Sequence, residues 1–477
     1  MHTIRLKFIK VLLFLAGIGF FLHSVSGQSV NTEYFMSSSF TKTSFNPALR
    51  PEKGYIGIPG LTNLTLAYKT NTFNLDHFLF PGVGEKGKSG LFLHENVSYD
   101  DFMKGISDNN YLDMGVDYTL LGFGFYVKDL FLSFDVSARA NTTTSVPKAF
   151  FDFVKRGFAL EENGTDYDFS NLRVNANAFT QIGIGGSYPV LNHSLVLGAK
   201  AKILLGIANA SLDIDNMHLI LEQDNWRINS EASLRMIYPG MQLTYDQDGK
   251  LKELGSGGKS SFINGSGFGF DLGATFKPGN YFDFKDNLAF WDGFTVSAAL
   301  TDAGFITWND KTEYLSAHAA DQVITGTGTP PIDLNSDDAL SDLEDYFKDA
   351  LSLKKDADTG LKSSSLGAKL NCGIAYTFLK DKLNVGFLTT NHFSPVQTIS
   401  EFTLAGAYRP FSEVELGLSY SFVHGESKTF GLALHLGHGL YIAGDYLVPR
   451  VNSDFIPTST KALNIQLGFA IPIGAKR

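Results

Sequence analysis

From about residue 116 to the C-terminus, the chain returns repeatedly to a two-residue alternation of apolar and polar side chains. Leu132, Phe134, Val136, Ala138 and Ala140 alternate with Ser133, Asp135, Ser137, Arg139 and Asn141. Leu172, Val174, Ala176, Ala178, Ile182 and Ile184 alternate with Arg173, Asn175, Asn177, Gln181, Gly183 and Gly185. A period of two puts successive side chains on opposite faces of a strand. One apolar and one polar face, repeated over strands of ten or more residues, fits a barrel with lipid outside and a wet lumen inside. The expected fold class is therefore all-β, a transmembrane antiparallel β-barrel.

The N-terminus agrees with a membrane destination. Arg5, Lys7 and Lys10 form a basic region, Val11 to Leu22 an apolar one, and Val25-Ser26-Gly27 a small-residue cleavage site. This is the layout of a secretory signal peptide over residues 1–27. The apolar run is too short for a ~20-residue helical span and polar sequence follows it, and no run of ~18 apolar residues occurs later. Gln28, not Cys, follows the cut, which argues against a lipoprotein anchor. A secreted chain of amphipathic strands without helical spans points to the outer membrane of a Gram-negative bacterium.

Composition removes several alternatives. The 48 Gly and 41 Phe occur in a chain only 44% hydrophobic, with a mean hydropathy of -0.01. Barrel strands that alternate apolar with small or polar residues average out in this way. The net charge of -10 argues against nucleic-acid binding, which wants a basic face. Cys372 is the only cysteine, so no intrachain disulfide forms and a cysteine-based metal site is not expected. Its parity groups it with Leu370 and Ile374 on an apolar face.

The pattern predicts strands at about 55–68, 116–127, 130–141, 171–188, 194–210, 266–277, 292–303, 364–378, 382–391, 398–409, 413–423, 428–437, 439–447 and 461–472. That is about fourteen, within the even-numbered bacterial range. Tight turns at Lys128-Asp129, Pro189 to His193, Leu379 to Asp381, Pro410 to Ser412 and Gly437-His438 alternate with long connections at 69–115, 142–170, 211–265 and 304–363. Short periplasmic turns and longer external loops place both termini in the periplasm. By parity the lumen carries Asp135, Arg139, Arg173, Gln181, Lys200, Lys202, Asp271, Lys369, Glu401 and Glu415. Both charge signs are present, so ion pairing inside the lumen is expected rather than a strong ion filter.

Eight-stranded barrels are filled by their own side chains, whereas sixteen or more strands leave an aqueous channel. A barrel of intermediate size needs an obstruction. Residues 28–54 precede the barrel of residues 55–477, start in the periplasm and contain the turn formers Asn46-Pro47 and Arg50-Pro51. They are the expected plug, the alternative being a loose periplasmic tail.

Here the chain resembles a known family. Ser37-Ser38-Ser39, then Phe45-Asn46-Pro47-Ala48, then a strand opening Tyr55-Ile56-Gly57-Ile58-Pro59 is similar to the N-terminus of FadL-type outer-membrane transporters. The segment Leu300-Thr301-Asp302-Ala303-Gly304, with Trp308 nearby, resembles a strand-end pattern of Bacteroidetes barrels of this superfamily. The chain as a whole looks closest to a domain-of-unknown-function family of such Bacteroidetes proteins. The resemblance implies a fourteen-stranded barrel, an N-terminal hatch whose motif is Phe45, Asn46, Pro47 and Ala48, and passive diffusion of a hydrophobic ligand. It does not transfer any ligand-pocket residues.

The external loops hold two apolar patches. Leu340, Leu343, Phe347 and Leu351 form one stripe of a helix predicted over Ser336 to Leu351. Phe150, Phe151, Phe153, Val154 and Phe158 form the other. Such faces either capture a greasy ligand or pack on one another to cap the barrel. The stretch 211–238 is expected to extend two strands above the membrane as a hairpin. Gly265 to Gly269 and Gly183 to Gly186 mimic phosphate loops but precede no helix. Asp356-Ala-Asp358-Thr-Gly360 lacks the closing Glu of a calcium loop, leaving at most a weak site. His392, His435 and His438 have no metal-ligand spacing.

No catalytic set, cofactor or metal is expected. Three function classes remain, the last of them an enzyme or a purely structural barrel. The first is passive uptake of small hydrophobic molecules through a plugged lumen, with outer-membrane lipid as the surroundings. The second is a PorV-like docking or shuttle barrel of type IX secretion, with a secretion-system protein as partner, or another protein-interaction barrel.

Overall fold

A computed structural model of the protein describes residues 30–72, 78–80, 82–83, 90–92, 94, 96–156, 164–222, 225–256, 261–281, 291–309, 311–325, 354–355, 363–379, 381–423, 427–437, 439–447 and 462–474. The signal-peptide assignment, the Asp356 calcium-like motif, Phe158, and Leu340, Leu343 and Phe347 with their helix lie outside these residues.

Fourteen strands close into one antiparallel barrel. They are β1 (Gly54–Gly57 and Asn63–Thr70), β2 (Asn109–Val127), β3 (Leu130–Pro147), β4 (Arg173–Val190), β5 (Leu195–Leu221), β6 (Gly265–Phe276) and β7 (Phe294–Trp308). The second half comprises β8 (Ser363–Ser365 and Lys369–Phe378), β9 (Leu383–Phe393), β10 (Thr398–Phe411), β11 (Val414–Val423), β12 (Ser427–Leu436), β13 (Leu440–Leu447) and β14 (Ala462–Ile473). Each strand pairs with its neighbour in sequence. Closure comes from β1, which pairs with β2 through Leu64 and Tyr118 and with β14 through Leu64 and Leu467. A closed barrel has no free edge, so every ladder position finds a partner inside lipid.

The two faces follow the predicted parity, turned inside out relative to a soluble protein. Large apolar residues stand outward, among them Leu418 at 63% exposure, Phe430 at 60% and Ile184 at 59%. Polar and charged residues are buried inward, including Lys202, Asp271, Glu401, Glu415 and Asp445. In water such a molecule would expose a large apolar belt; in a bilayer the belt is the solvated surface. The short turns match the predicted ones. Lys128, Leu191, Asn192, His193, Leu379 and Asp381 adopt positive φ there, as tight hairpin connections with the twist of the strands require.

Two differences from the predicted layout matter. The strand expected to end near residue 303 continues as β7 to Trp308. Its Leu300 to Gly304 segment is a β-bulge: Leu272 faces Leu300, Phe270 faces Ala303, and Asp302 sits at φ 55. The bulge inserts one unpaired residue and re-aims its side chain. The predicted loop 304–363 also contains a strand, Glu313–Thr325, which pairs with Asn225–Ile237. The 211–238 stretch forms the expected hairpin, β5 running to Leu221 and returning through Asn225–Ile237.

Candidate functional site in the barrel lumen

Inside the barrel the described side chains form three layers, from the short-turn end, which the sequence reading expects to be periplasmic, to the long-loop end, expected to be external. The first is not wall at all but residues 30–53. Two short 3-10 turns, Asn31–Phe35 and Thr41–Ser44, compact this segment, and Pro47 prevents a longer helix. Its backbone groups find partners on the wall. Val30 N donates to Gln466 at 3.2 Å, Asn31 N to Asp445 at 2.5 Å, and Ser37 N and Ser38 N to Glu415 at 2.9 and 2.8 Å. Thr32 Oγ1 bonds Ser419 at 2.6 Å and also Asp445. Carboxylates that accept backbone N–H groups form strong charge-assisted bonds.

The hatch motif is placed within this layer. Phe45 packs against Tyr34 with ring centroids 5.5 Å apart, beside Phe35, Leu388 and Ala405. Asn46 is fully buried: its Nδ2 donates to the carbonyls of Ala274 and Ala298, while its Oδ1 caps Ala48 N at 2.8 Å. The Phe45 carbonyl accepts from Asn371 at 2.8 Å. Pro47 and Ala48 press against the wall at Gly198. Gly198 is one of a set of wall glycines where a Cβ would strike the segment: Gly273 at Asn46, Gly373 at Tyr34, Gly386 at Phe35, and Gly417 and Gly431 at Thr32. These inward positions are small because the segment occupies the space a side chain would take.

Within the same layer Glu33 is wholly buried. It accepts from the hydroxyls of Ser39 and Thr41 and pairs with His435 Nε2 at 3.1 Å. Lys42, also buried, donates to the carbonyls of Met36 and Ser37 at 3.3 and 3.1 Å. Burial, opposed by the nearby Glu415 and Glu52, lowers its amine to a pKa of about 8.

The second layer is charged. Arg139 makes a two-pronged contact with Asp302 at 2.7 and 3.1 Å and reaches Asp117 at 3.1 Å. Lys202 bonds both Asp271 and Asp302, and Lys369 lies 3.4 Å from Asp302. Asp271 also accepts the Asp302 backbone N–H at 2.7 Å. The Asp302 bulge thus points one carboxylate at three cations. Alongside, Lys200 pairs with Asp135, and Gln181 bridges Asp135 and Arg139 at 3.2 and 3.1 Å. On the opposite wall Lys69 pairs with Glu401 at 2.8 Å, and Tyr446 and Asn31 bond the same carboxylate. Three cations (Arg139, Lys202, Lys369) face three anions (Asp117, Asp271, Asp302) in the main cluster, so it is internally neutral.

The third layer, at the external end, has two inward apolar clusters beside a polar chain in which Ser364 and Asn209 donate to Asn177 and Arg235 donates to Asn209. Phe179, Leu204, Ile237, Ile306, Trp308 and Leu366 pack together on one side, with the Trp308 indole N–H donating to Ser364 at 2.9 Å. Tyr111, Ile399, Val423, Tyr446 and Ala462 form the counterpart on the other side.

Eight of the ten residues assigned to the lumen by parity lie in or against the charged layer: Asp135, Arg139, Gln181, Lys200, Lys202, Asp271, Lys369 and Glu401. Glu415 lies lower, under Ser37 and Ser38. Arg173 stands apart at the external rim, beside Asp213 and Asp215. Sequence reasoning missed Asp117, Asp302, Lys69, Asp445 and Glu33, and both inner apolar clusters. Asp302 and Trp308 were within reach, because both stand in the quoted Leu300 to Trp308 pattern. The bulge hid their direction.

The external patch at residues 148–156 is helical, as Lys148–Arg156. Its side chains are packed rather than presented: Phe151 against Phe92, Phe102 and Val146, and Phe153 against Tyr167, Phe169 and Leu212. Phe150 is half-buried between these two clusters. Among the described residues, no group of three or more His, Cys, Asp or Glu is arranged to hold a metal ion.

The chain is similar to two solved outer-membrane barrels. One is the TodX deltaS2S3 mutant monoaromatic hydrocarbon channel, with 12% identity over 94% of this chain and 99% of that one and a TM-score of 0.41. The other is the CymD monoaromatic hydrocarbon channel, with 8% identity over 93% and 95% and a TM-score of 0.31. Among curated proteins none matches the sequence. A family pattern does: it matches residues 47–445, from the hatch motif to β13, and the chain belongs to the family of unknown function DUF5723.

Proposed function

We propose that this barrel resides in a bacterial outer membrane and passes small hydrophobic molecules by passive diffusion, with residues 30–53 as its gate. The observation that carries this reading is the inward apolar surface at the external end. Phe179, Leu204, Ile306 and Trp308 are buried there as an apolar stripe, beside a polar one of Asn177, Asn209, Arg235 and Ser364. An apolar solute exchanges lipid or membrane-surface contacts for the apolar stripe at little cost, while a hydrated ion loses its shell. The neutral charged layer beneath offers no net field to draw ions through. The docking alternative calls for an exposed apolar surface on the loops; among the described loop residues Phe262 and Ile263 are exposed, whereas Phe92, Phe102, Phe151 and Phe153 are packed.

The test is uptake of N-phenylnaphthylamine, an apolar dye that fluoresces in membranes, by cells lacking the barrel and supplied with it again. The intact protein should accelerate dye entry several-fold, and Trp308→Arg, checked for folding by heat-modifiable gel mobility, should remove most of the gain. Dye entry equal to that of cells without the protein contradicts the reading and favours a docking role.

A further inference from the structure

At the short-turn end the barrel finishes on exposed apolar side chains. Leu379, between β8 and β9, is 65% exposed and Phe411, between β10 and β11, 68%; both exceed Leu418 in the middle of the lipid-facing belt, at 63%. Leu191, between β4 and β5, is exposed as well. Leu191 and Leu379 also adopt positive φ, 48 and 53. Glycine or asparagine is the ordinary occupant of that left-handed conformation. A bulky side chain is strained there, and such strain persists where the surroundings offset it.

The height of the belt identifies those surroundings. Its upper edge lies on β6 and β7, where the outward pair Phe268 and Phe305 gives way to the outward, exposed pair Ser266 and Thr307. Strands rise ~3.3 Å per residue and tilt ~35–45° in such barrels, so each residue spans ~2.5 Å of height. An apolar band ~25 Å tall therefore takes ~10 residues. Counted from Phe268, they end in the turn Pro278–Asn280. Counted from Ile203, which faces Phe268 on β5, they end in the turn of Leu191 to His193. The short turns thus coincide with the lower edge of the belt. Outward apolar residues lead directly to the tips, Ile374 and Phe378 to Leu379, and Leu404 and Tyr408 to Phe411.

We propose that the tips of the short turns are inserted in the lipid leaflet at that end, with Leu191, Leu379 and Phe411 at the boundary between phospholipid headgroups and acyl chains. The partner of this surface is the phospholipid itself, because the surface continues the belt that lipid already covers. Burial of the two leucines in lipid offsets the strain of their backbone, which water would not do. Exposed lysines stand in the same turns, Lys128 between β2 and β3 and Lys382 beside Leu379. An ammonium group next to an apolar tip suits a headgroup, whose phosphate lies just beyond the acyl boundary. The plug's outer face then lies level with the headgroups instead of standing clear in water. The inference goes beyond the uptake reading and rests on the barrel alone.

The experiment is electron paramagnetic resonance of spin labels on the full-length barrel in dioleoylphosphatidylcholine vesicles, with Cys372→Ser removing the native thiol. Labels are attached through Leu379→Cys and Phe411→Cys, through Leu418→Cys in mid-belt, and through Asp248→Cys, an exposed position of the external loops. Collisions with oxygen, which concentrates in lipid, are compared with collisions with a water-soluble nickel chelate present on both sides of the membrane. The oxygen-to-nickel ratio at positions 379 and 411 should exceed that at 248 by roughly threefold or more and stay below that at 418. Ratios equal to that at 248 overturn the insertion and leave the tips free for a soluble protein. Insertion of one tip alone also overturns it, since a level boundary takes both. Heat-modifiable mobility confirms that each variant is folded, and Leu191→Cys replaces a tip whose variant is not. The readout needs no solute, so it stands or falls apart from the passage reading.

Discussion

The two ends of the lumen are obstructed by different means. At the periplasmic end the obstruction is a separate stretch of chain, residues 30–53, seated on wall glycines and held by wall carboxylates through its backbone N–H groups. At the external end the wall obstructs itself, with apolar side chains of β4, β5 and β7 turned inward. The first kind of obstruction can leave as a unit when its hydrogen bonds are exchanged for water. The second can only rearrange side chain by side chain, because each group is anchored to a strand whose ladder is fixed in lipid. On the proposed uptake reading, the contrast puts gating at the periplasmic end and solute selection at the external end.

Between the two ends stands the charged layer, and cutting it should give the largest effect. Asp302→Ala leaves Arg139, Lys202 and Lys369 around a missing carboxylate; breaking a buried ion cluster in this way costs about 3–5 kcal/mol. Urea unfolding in micelles should show the loss, and a change below about 1 kcal/mol would mean that water already screens the cluster.

A smaller effect separates the glycines that seat the plug from those that do not. A Cβ at Gly373 would strike Tyr34, whereas at Gly406 the nearest atom is 3.6 Å away. Gly373→Val should therefore cost the docked plug about 1–3 kcal/mol by overpacking, seen as faster trypsin cleavage at Lys42, while Gly406→Ala should leave cleavage unchanged. Equal cleavage in the two variants would mean that the plug does not rest on the wall at these points.

The smallest effect is a pH dependence confined to the plug end. Burial holds Lys42 at a pKa of about 8, below its ordinary 10.5. Between those values the undocked segment binds a proton that the docked one has released, so docking strengthens as pH rises through that window. Protection of the segment from a protease active at alkaline pH should increase from pH 8 towards 10, and Lys42→Met should flatten the slope. A slope that persists in Lys42→Met would place the titration elsewhere.

The barrel itself was legible in the sequence because alternation is a local property: Phe268 and Gly269 declare their faces without any knowledge of the rest of the chain. Turn chemistry at Lys128-Asp129 and Pro189 to His193 then supplied the order of strands. What parity cannot convey is a change of parity. The bulge at Asp302, another between Ala178 and Phe179, and the interruption of β1 at residues 58–62 each shift the register. Beyond the Asp302 bulge Ile306 and Trp308 read as outward when they face in, while Phe179 and Leu204 keep the lumen parity and were hidden by being apolar. The plug was visible as a segment with too many aromatics for a solvated tail. Its partners were not, since Asp445 and Glu415 lie about four hundred residues away from it in sequence.

The most direct test of the two-ended account is single-channel recording in planar bilayers after deletion of Val30 to Ala48. A lumen of this strand number is open unless something fills it, and the deleted stretch supplies nearly all the chain that fills the periplasmic end. The account predicts a clear rise in conductance over the intact protein, with greater sensitivity of cells to bulky antibiotics. Conductance no different from that of the intact barrel would contradict it, and would place the seal in the external layer alone.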